Sequence, residues 1–118
     1  MNKEELIERT KEFAHRCVKL GLSLPTNTLG KHISGQIIRC STSVADIYSV
    51  ACVAQSGKSF ISKLNIVKEA DESIFWLEFI KDEALVKPEL LKELITEAKA
   101  LTSIFIASRK TMVLNNNK

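Results

Sequence analysis

The chain has 118 residues and a mass of 13.2 kDa, which is the size of one ordinary domain. It carries 17 Lys and Arg against 14 Asp and Glu, a net charge of +3, and 45% of its residues are apolar. This composition excludes a disordered tail and a strongly basic chromatin-type chain. Four glycines and two prolines are too few for a turn-rich β protein, so the composition favours helices.

The cysteines and the start of the chain bear on its cellular location. Cys17, Cys40 and Cys52 are an odd number, and the charged first residues contain no apolar stretch of the signal-peptide kind. No apolar run approaches the roughly 18 residues of a membrane span. We therefore expect a cytoplasmic protein with reduced, buried thiols and no membrane partner.

The first predicted helix runs from about Lys3 to Leu20. Asn2 is placed to cap its start, and Gly21 suits a left-handed stop after its end. Three- and four-residue spacing gives it one apolar stripe, made of Leu6, Ile7, Phe13, Ala14, Cys17 and Val18.

The second predicted helix runs from about Thr28 to Ala54 and contains a run of small polar residues, Cys40–Ser43. Ser and Thr are weak helix formers, but inside a helix they can bond the carbonyl four residues back and let a neighbouring backbone approach closely. Gly35 weakens such a helix, and we expect tight packing to offset the loss. The apolar stripe comprises Leu29, Ile33, Ile37, Val44, Ile47, Tyr48 and Ala51.

The third predicted helix begins after Gln55–Gly57, with Ser56 as its cap, and runs to about Lys81. One apolar face is enough to close a bundle, but this helix has two, which indicates a further partner. The inner stripe is Phe60, Leu64, Val67, Ile74 and Leu77. The second surface comprises Ile61, Ile66, Phe75, Trp76, Phe79 and Ile80, of which Phe75, Trp76 and Phe79 are the candidate oligomer-interface residues.

The fourth predicted helix begins at Pro88, a residue favoured in the first helical position. Its stripe is Leu91, Leu94, Ile95, Ala98, Leu101, Phe105 and Met112. The short connections make neighbouring helices antiparallel. The sequence therefore predicts an all-α, up-down-up-down four-helix bundle as one domain over residues 1–114, followed by a frayed polar tail at 115–118.

Nothing in the sequence indicates a catalytic, cofactor-binding or metal site. Gly57-Lys58-Ser59 is similar to the end of a phosphate-binding loop, but Cys52 stands where that motif needs its first glycine. His15 and Cys17 lie on different sides of one helix, and the chain lacks the paired Glu-x-x-His motifs of a di-iron bundle. We therefore expect a protein that is not an enzyme and needs no cofactor.

The charges are strongly segregated along the chain. Residues 13–68 contain seven basic residues and one acid, a charge of +6, whereas residues 69–97 contain nine acids and three lysines, a charge of −6. Such segregated charges can align the copies of an oligomer, when the positive segment of one copy meets the negative segment of the next, or they can bind the phosphates of a nucleic acid. Alternatively, the charges are solvated and cancel across neighbouring helices. The sequence leaves these three interpretations open.

Three short stretches, Arg39–Val44, Phe60–Leu64 and Lys68–Leu77, together resemble a known pattern. It is that of the bacterial four-helix-bundle proteins encoded in intervening sequences of large-subunit ribosomal RNA genes, often described as S23-like. In that family the stretches read approximately Arg-Ser-Ser-Thr-Ser-Ile, Phe-Ile-x-Lys-Leu and Lys-Glu-Ala-x-Glu-x-x-x-Trp-Leu. The resemblance follows the segment order over nearly the whole chain.

The resemblance implies an up-and-down subunit that assembles into a ring, typically a homopentamer. A related branch is similar to the accessory variability determinant of diversity-generating retroelements, a pentameric barrel that binds nucleic acid and a reverse transcriptase. RNA, DNA or a nucleic-acid enzyme are therefore possible partners, and no catalytic residue is implied. The nucleic-acid candidates are Lys31, Arg39, Lys58 and Lys63, although Arg39 could equally pair with Glu69 or Glu72.

Two functional hypotheses follow. The first is a non-enzymatic homo-oligomeric scaffold or adaptor, most simply a closed pentameric ring, because one patch meeting a different patch on the next copy can close. The alternative is an RNA- or DNA-binding accessory protein that uses a basic surface of the ring.

Overall fold

The computed structural model contains four α-helices: α1 (Lys3–Leu22), α2 (Thr28–Val53), α3 (Ser56–Asp82) and α4 (Glu89–Asn116). It describes the backbone of residues 1–53 and 56–116 and the side chains of residues 1–53 and 65–110. No strand occurs in these backbone ranges. The side chain of Ser56, the predicted cap, and those of Phe60, Ile61, Leu64 and Met112 lie outside the described residues.

The helices pack in chain order, with α1 against α2, α2 against α3 and α3 against α4, while a smaller contact between α4 and α1 completes the bundle. The resulting body measures 50 × 23 × 22 Å. These features confirm the predicted up-down four-helix architecture. The helix α4 continues to Asn116, so the tail predicted at 115–118 overlaps its last residues. No helix in the described part of the chain is long and apolar enough to cross a membrane.

The core is built mainly from the predicted stripes, with two corrections on α3. Ile66 and Ile80, assigned to the second apolar surface, are 2% and 0% exposed and belong to the core. Together with buried Ser73 they repeat every seven residues, which is two helical turns, so all three face inward. Leu29 was assigned to the core stripe of α2, but it lies at the first turn of that helix and is exposed.

The small polar run of α2 behaves as expected. Thr42 Oγ1 donates to the Ile38 carbonyl at 2.7 Å, and Ser43 Oγ donates to the Arg39 carbonyl at 2.8 Å. These bonds satisfy the hydroxyls within the helix. Ser73 Oγ of α3 donates to Cys40 Sγ at 3.3 Å, and both residues are fully buried, so the two helices approach closely here.

The helix ends follow the prediction at Asn2 but not at Gly21. Asn2 Oδ1 accepts the Glu5 amide at 2.8 Å. Gly21, predicted as a left-handed stop, has a negative φ and is buried inside the last turn of α1, where a Cβ would lie 3.0 Å from Ile38 Cγ1. The glycine therefore permits close packing against α2. The left-handed residue is instead Ala84, with φ 53°, after α3.

The start of α4 differs from the prediction by one residue, and the end of α3 has a turn that the sequence did not predict. Pro88 precedes the first residue of α4 by one position, and its carbonyl accepts the Leu91 amide at 3.0 Å. After α3, the Leu85 amide donates to the Ile80 carbonyl at 3.1 Å. With Ala84 in the left-handed conformation, this bond forms a Schellman turn, in which glycine is the usual residue.

Tight packing around Gly35, which was expected to offset its low helix propensity, is absent. A Cβ at Gly35 would meet no atom within 4 Å, and the residue is exposed. The close approach occurs one turn and a half earlier, at Gly30, where a Cβ would lie 1.8 Å from the Pro25 carbonyl oxygen. The chain thus places a glycine where alanine fits and an alanine where glycine is preferred.

We therefore expect Gly35→Ala and Ala84→Gly each to raise the free energy of unfolding by about 1 kcal/mol. Alanine at position 35 has the higher helix propensity, and glycine at position 84 removes the steric strain that a Cβ atom causes in the left-handed conformation. Urea unfolding at one fixed protein concentration measures both effects. Gly30→Ala is the matched control and should destabilise; a loss of stability in Gly35→Ala would contradict the open environment of that residue.

Candidate functional site: an aromatic patch and its charged neighbours

Three aromatic side chains of α3 and one ring of α2 form a cluster at the surface, which we call the aromatic patch: Phe75, Trp76, Phe79 and His32. The Phe75 and Trp76 ring centroids are 4.9 Å apart and nearly perpendicular, and Phe79 lies 5.8 Å from Phe75 and 5.9 Å from Trp76. The His32 ring meets Trp76 edge-on at 5.6 Å. The patch therefore spans the groove between α2 and α3.

The position of the patch follows from the helical repeat of α3. With Ser73, Leu77 and Ile80 directed at the core, Phe75 is placed on the opposite side and is 54% exposed. Trp76 and Phe79 lie between these extremes and are half-buried. The sequence therefore identified a partly exposed apolar surface correctly at these three residues.

Trp76 carries a further unusual feature. Its Nε1 atom is buried and has no hydrogen-bond acceptor among the described residues. Burying a donor without a partner costs about 1–3 kcal/mol. Sequence reasoning missed the neighbour, His32, because nothing in a single sequence specifies which α2 residue faces Trp76.

Arg39 lies along the same α2–α3 groove and is committed to carboxylates of its own chain. Its guanidinium donates to Glu69 at 3.1 Å and to Glu72, and it also donates to Gln36 at 3.3 Å. Of the two roles that the sequence left open for Arg39, ion pairing with Glu69 and Glu72 is the one seen here. The guanidinium is partly exposed, so these ion pairs add little to the stability of the fold.

Of the other nucleic-acid candidates, Lys31 has a described side chain, and it lies apart from Arg39 on α2. Lys31 is exposed and makes no ion pair with the described side chains, but it lies eight residues from Arg39, about 12 Å along the axis of α2. The side chains of Lys58 and Lys63 lie outside the described residues. Lys31 is thus the one candidate whose described cation remains available.

The opposite charges of the chain meet in part across neighbouring helices. Arg9 of α1 binds Glu97 of α4 through two bonds of 2.7 Å, and the carboxylate raises the pKa of the guanidinium. Arg16 reaches Glu93 at 3.7 Å, again between α1 and α4. These long side chains bridge α1 and α4, which pack against each other less extensively than the other neighbouring helices. Part of the segregated charge is therefore neutralised within one subunit.

The two buried thiols, Cys17 and Cys40, have low reactivity. Burial raises the pKa of Cys17 to about 12, against a lesser lowering by nearby Ser41, and burial likewise raises the pKa of Cys40, which Ser73 opposes. Such groups carry almost no thiolate at neutral pH. No group of three His, Cys, Asp or Glu side chains in the described part of the chain could hold a metal ion.

A cavity of about 320 Å³ opens at the other end of the bundle, where all four helices contribute to the wall. It is lined by Tyr48 and Cys52 of α2, and by residues such as Leu6 and Phe105. Burial, together with Cys52, raises the pKa of Tyr48 to about 12. The sequence analysis did not anticipate this cavity, because its wall depends on the packing of four separate segments.

We expect Cys52 to be the one thiol that reacts rapidly in the native protein. At about pH 8, Cys17 and Cys40 are buried and protonated, whereas Cys52 is partly exposed beside the cavity. Mass spectrometry after brief iodoacetamide treatment should show one adduct, and three after unfolding. Rapid native labelling at two or three cysteines would contradict the buried core around Cys40.

Comparison with known proteins shows which family shares this sequence and this architecture. A family model described as 23S rRNA-intervening sequence protein matches residues 2–107. A crystal structure from Bacteroides thetaiotaomicron, of a protein with unknown function from the S23 ribosomal protein family, is similar with a TM-score of 0.80 and 26% sequence identity, covering 88% of this chain and 97% of that one. No curated protein sequence matches the chain. The family match and the shared fold confirm the resemblance carried by the three stretches Arg39–Val44, Phe60–Leu64 and Lys68–Leu77: the chain belongs to the 23S rRNA-intervening sequence protein family.

Proposed function

We propose that this protein is a non-enzymatic homo-oligomeric scaffold or adaptor in the cytoplasm, assembled as a closed ring of five copies. The observation that carries the proposal is the aromatic patch, whose central residue, Phe75, is 54% exposed. The family is one of unknown function, so the proposal rests on the surface of the chain and, for the number of subunits, on the resemblance.

The patch has the composition of an association surface. Aromatic residues are enriched where protein interfaces are buried, and a Phe side chain gains roughly 1.5–3 kcal/mol when it leaves water. Among the described side chains, the other large apolar residues that are more than half exposed lie at helix ends and not in an aromatic cluster: Met1, Leu22, Val53 and Leu90. A second copy covering Phe75 would also change the surroundings of the unpaired Trp76 indole.

A closed ring covers the aromatic patch of every subunit, whereas an open chain of copies leaves one patch free. When a patch meets a different patch on the next copy, the rotation between copies determines whether the assembly closes. A closed ring leaves no free patch, so one exposed aromatic cluster per subunit is fully covered.

Phe75→Asp should dissociate the assembly, because it puts a charge at the centre of the patch. We expect the mass from light scattering at micromolar concentration to fall from several subunits to about the 13.2 kDa of one chain, with helical circular dichroism retained. Val50→Asp is the matched control, since Val50 is 49% exposed on α2 and lies outside the patch. A monomeric parent protein, or an intact assembly in Phe75→Asp, would contradict the proposal.

The alternative proposal, an RNA- or DNA-binding accessory protein, is supported by Lys31, whose exposed cation has no partner within the described residues. We expect any such binding to be strongest at about 50 mM salt and to weaken in Lys31→Gln. Titration of labelled RNA and duplex DNA with the oligomer measures it. Absence of binding by micromolar protein at that salt concentration would remove this alternative.

A further inference from the structure

We infer that the next copy in the assembly covers Phe75 with the C-terminal half of its α1, so that Leu22 packs on Phe75 and Lys19 faces Asp71. This inference rests on the proposed oligomer and names both sides of its contact. It follows from the charge, exposure and height of two ridges on the same subunit.

The first ridge is the outward side of α3. Asp71, Phe75, Glu78 and Asp82 follow one another at three- and four-residue spacing and are all exposed. Beside Phe75 lies a hollow of about 270 Å³, whose wall includes Phe79, Glu78, Lys81 and Asp82. Glu78 is paired with Lys99 of α4 at 3.7 Å, whereas Asp71 makes no ion pair among the described residues. An occupant of this ridge therefore needs an apolar side chain over Phe75 and a cation facing Asp71.

The second ridge is the outward side of α1 in its last two turns. His15, Lys19 and Leu22 are exposed at three- and four-residue spacing, and Leu22 is 74% exposed. Residues 13–45 contain no acid. Lys19 makes no ion pair among the described residues, so its cation is available to a partner. This ridge has the apolar end and positive charge that the first ridge requires.

The two ridges lie at the same height in the bundle. In an up-down bundle, α1 and α3 run in the same direction. Gly21 packs against Ile38, while Cys40, only two residues further along α2, bonds to Ser73. At 1.5 Å of rise per residue, Leu22 is therefore within about one turn of Phe75 in height.

Side-by-side copies with parallel axes consequently bring the two ridges into register. One turn before Leu22 along α1 is Lys19, and one turn before Phe75 along α3 is Asp71. The same arrangement thus places an apolar pair and an opposite-charge pair together. Pairing each ridge with its own copy would instead oppose Asp71 and Asp82 to other acids, or Lys19 to another lysine, and like charges disfavour both.

The two ridges lie on α1 and α3, which pack against different sides of α2 and do not contact each other in the described part of the chain. Docking one copy's α1 ridge on the next copy's α3 ridge therefore leaves a free ridge on each copy for a further neighbour, as a ring requires.

Charge exchange tests this pairing. Lys19→Glu and Asp71→Lys should each weaken the assembly on the order of tenfold at low ionic strength, because each sets like charges across every contact. The double variant Lys19→Glu/Asp71→Lys, in one chain, should recover the parent mass. Sedimentation across a dilution series measures all three, and Lys92→Glu, an exposed α4 lysine, is the matched control.

The outcomes separate this pairing from the proposal of an oligomer. If the parent chain is an oligomer and both single reversals leave its dissociation unchanged, the pairing of α1 with α3 is wrong and the oligomer stands. Weakening by both singles without recovery in the double variant also overturns it. A parent chain that is monomeric overturns the oligomer itself.

Discussion

The close approach of α2 to its two neighbours around Cys40 and Ser41 is the constraint on which the rest of the structure depends. Both residues are fully buried: Ser73 of α3 bonds to Cys40, and Ser41 lies beside Cys17 of α1. On the preceding turn of α2, Ile37 and Ile38 pack against Gly21 of α1. Because the hydroxyls bond within their own helices or to sulfur, small polar residues can occupy the core without unsatisfied groups. This contact fixes the heights of α1, α2 and α3 relative to one another.

The surface features follow from that register. With Cys40 at the level of Ser73, Arg39 reaches Glu69 and Glu72 on one side of the contact, and His32 reaches Trp76 two turns away. The Arg39 cation is thereby neutralised within the subunit. The aromatic patch remains exposed along the groove, and on α2 the Lys31 cation has no ion-pair partner among the described residues.

Periodicity and capping residues predicted the four helices because these signals are local. The same reasoning identified the partly exposed aromatic residues, but it placed Ile66 and Ile80 among them, since an unusually apolar helix does not reveal which face is inside. The glycines were less predictable. Whether Gly21 or Gly35 needs the absence of a Cβ depends on a neighbouring helix, and only the folded chain supplies that neighbour.

Charged residues were predictable as blocks and not as pairs. The +6 and −6 segments can be read from the sequence, but the acid that pairs with each cation depends on helix register, as Arg39 and Arg16 illustrate. Once those pairs and the Glu78–Lys99 pair are set aside, Asp71 and Lys19 still lie on separate ridges of one subunit. In the proposed assembly, these two charges face one another between copies.

The central claim is that a second copy covers the aromatic patch, and Trp76, the single tryptophan, reports on it directly. Acrylamide quenching of its fluorescence should be followed on the unmodified protein while it is diluted through the range in which its mass falls to one subunit. The account predicts that quenching rises in step with dissociation, because Phe75 and its neighbours become accessible as the copies separate. Dissociation with no change in Trp76 quenching would contradict it.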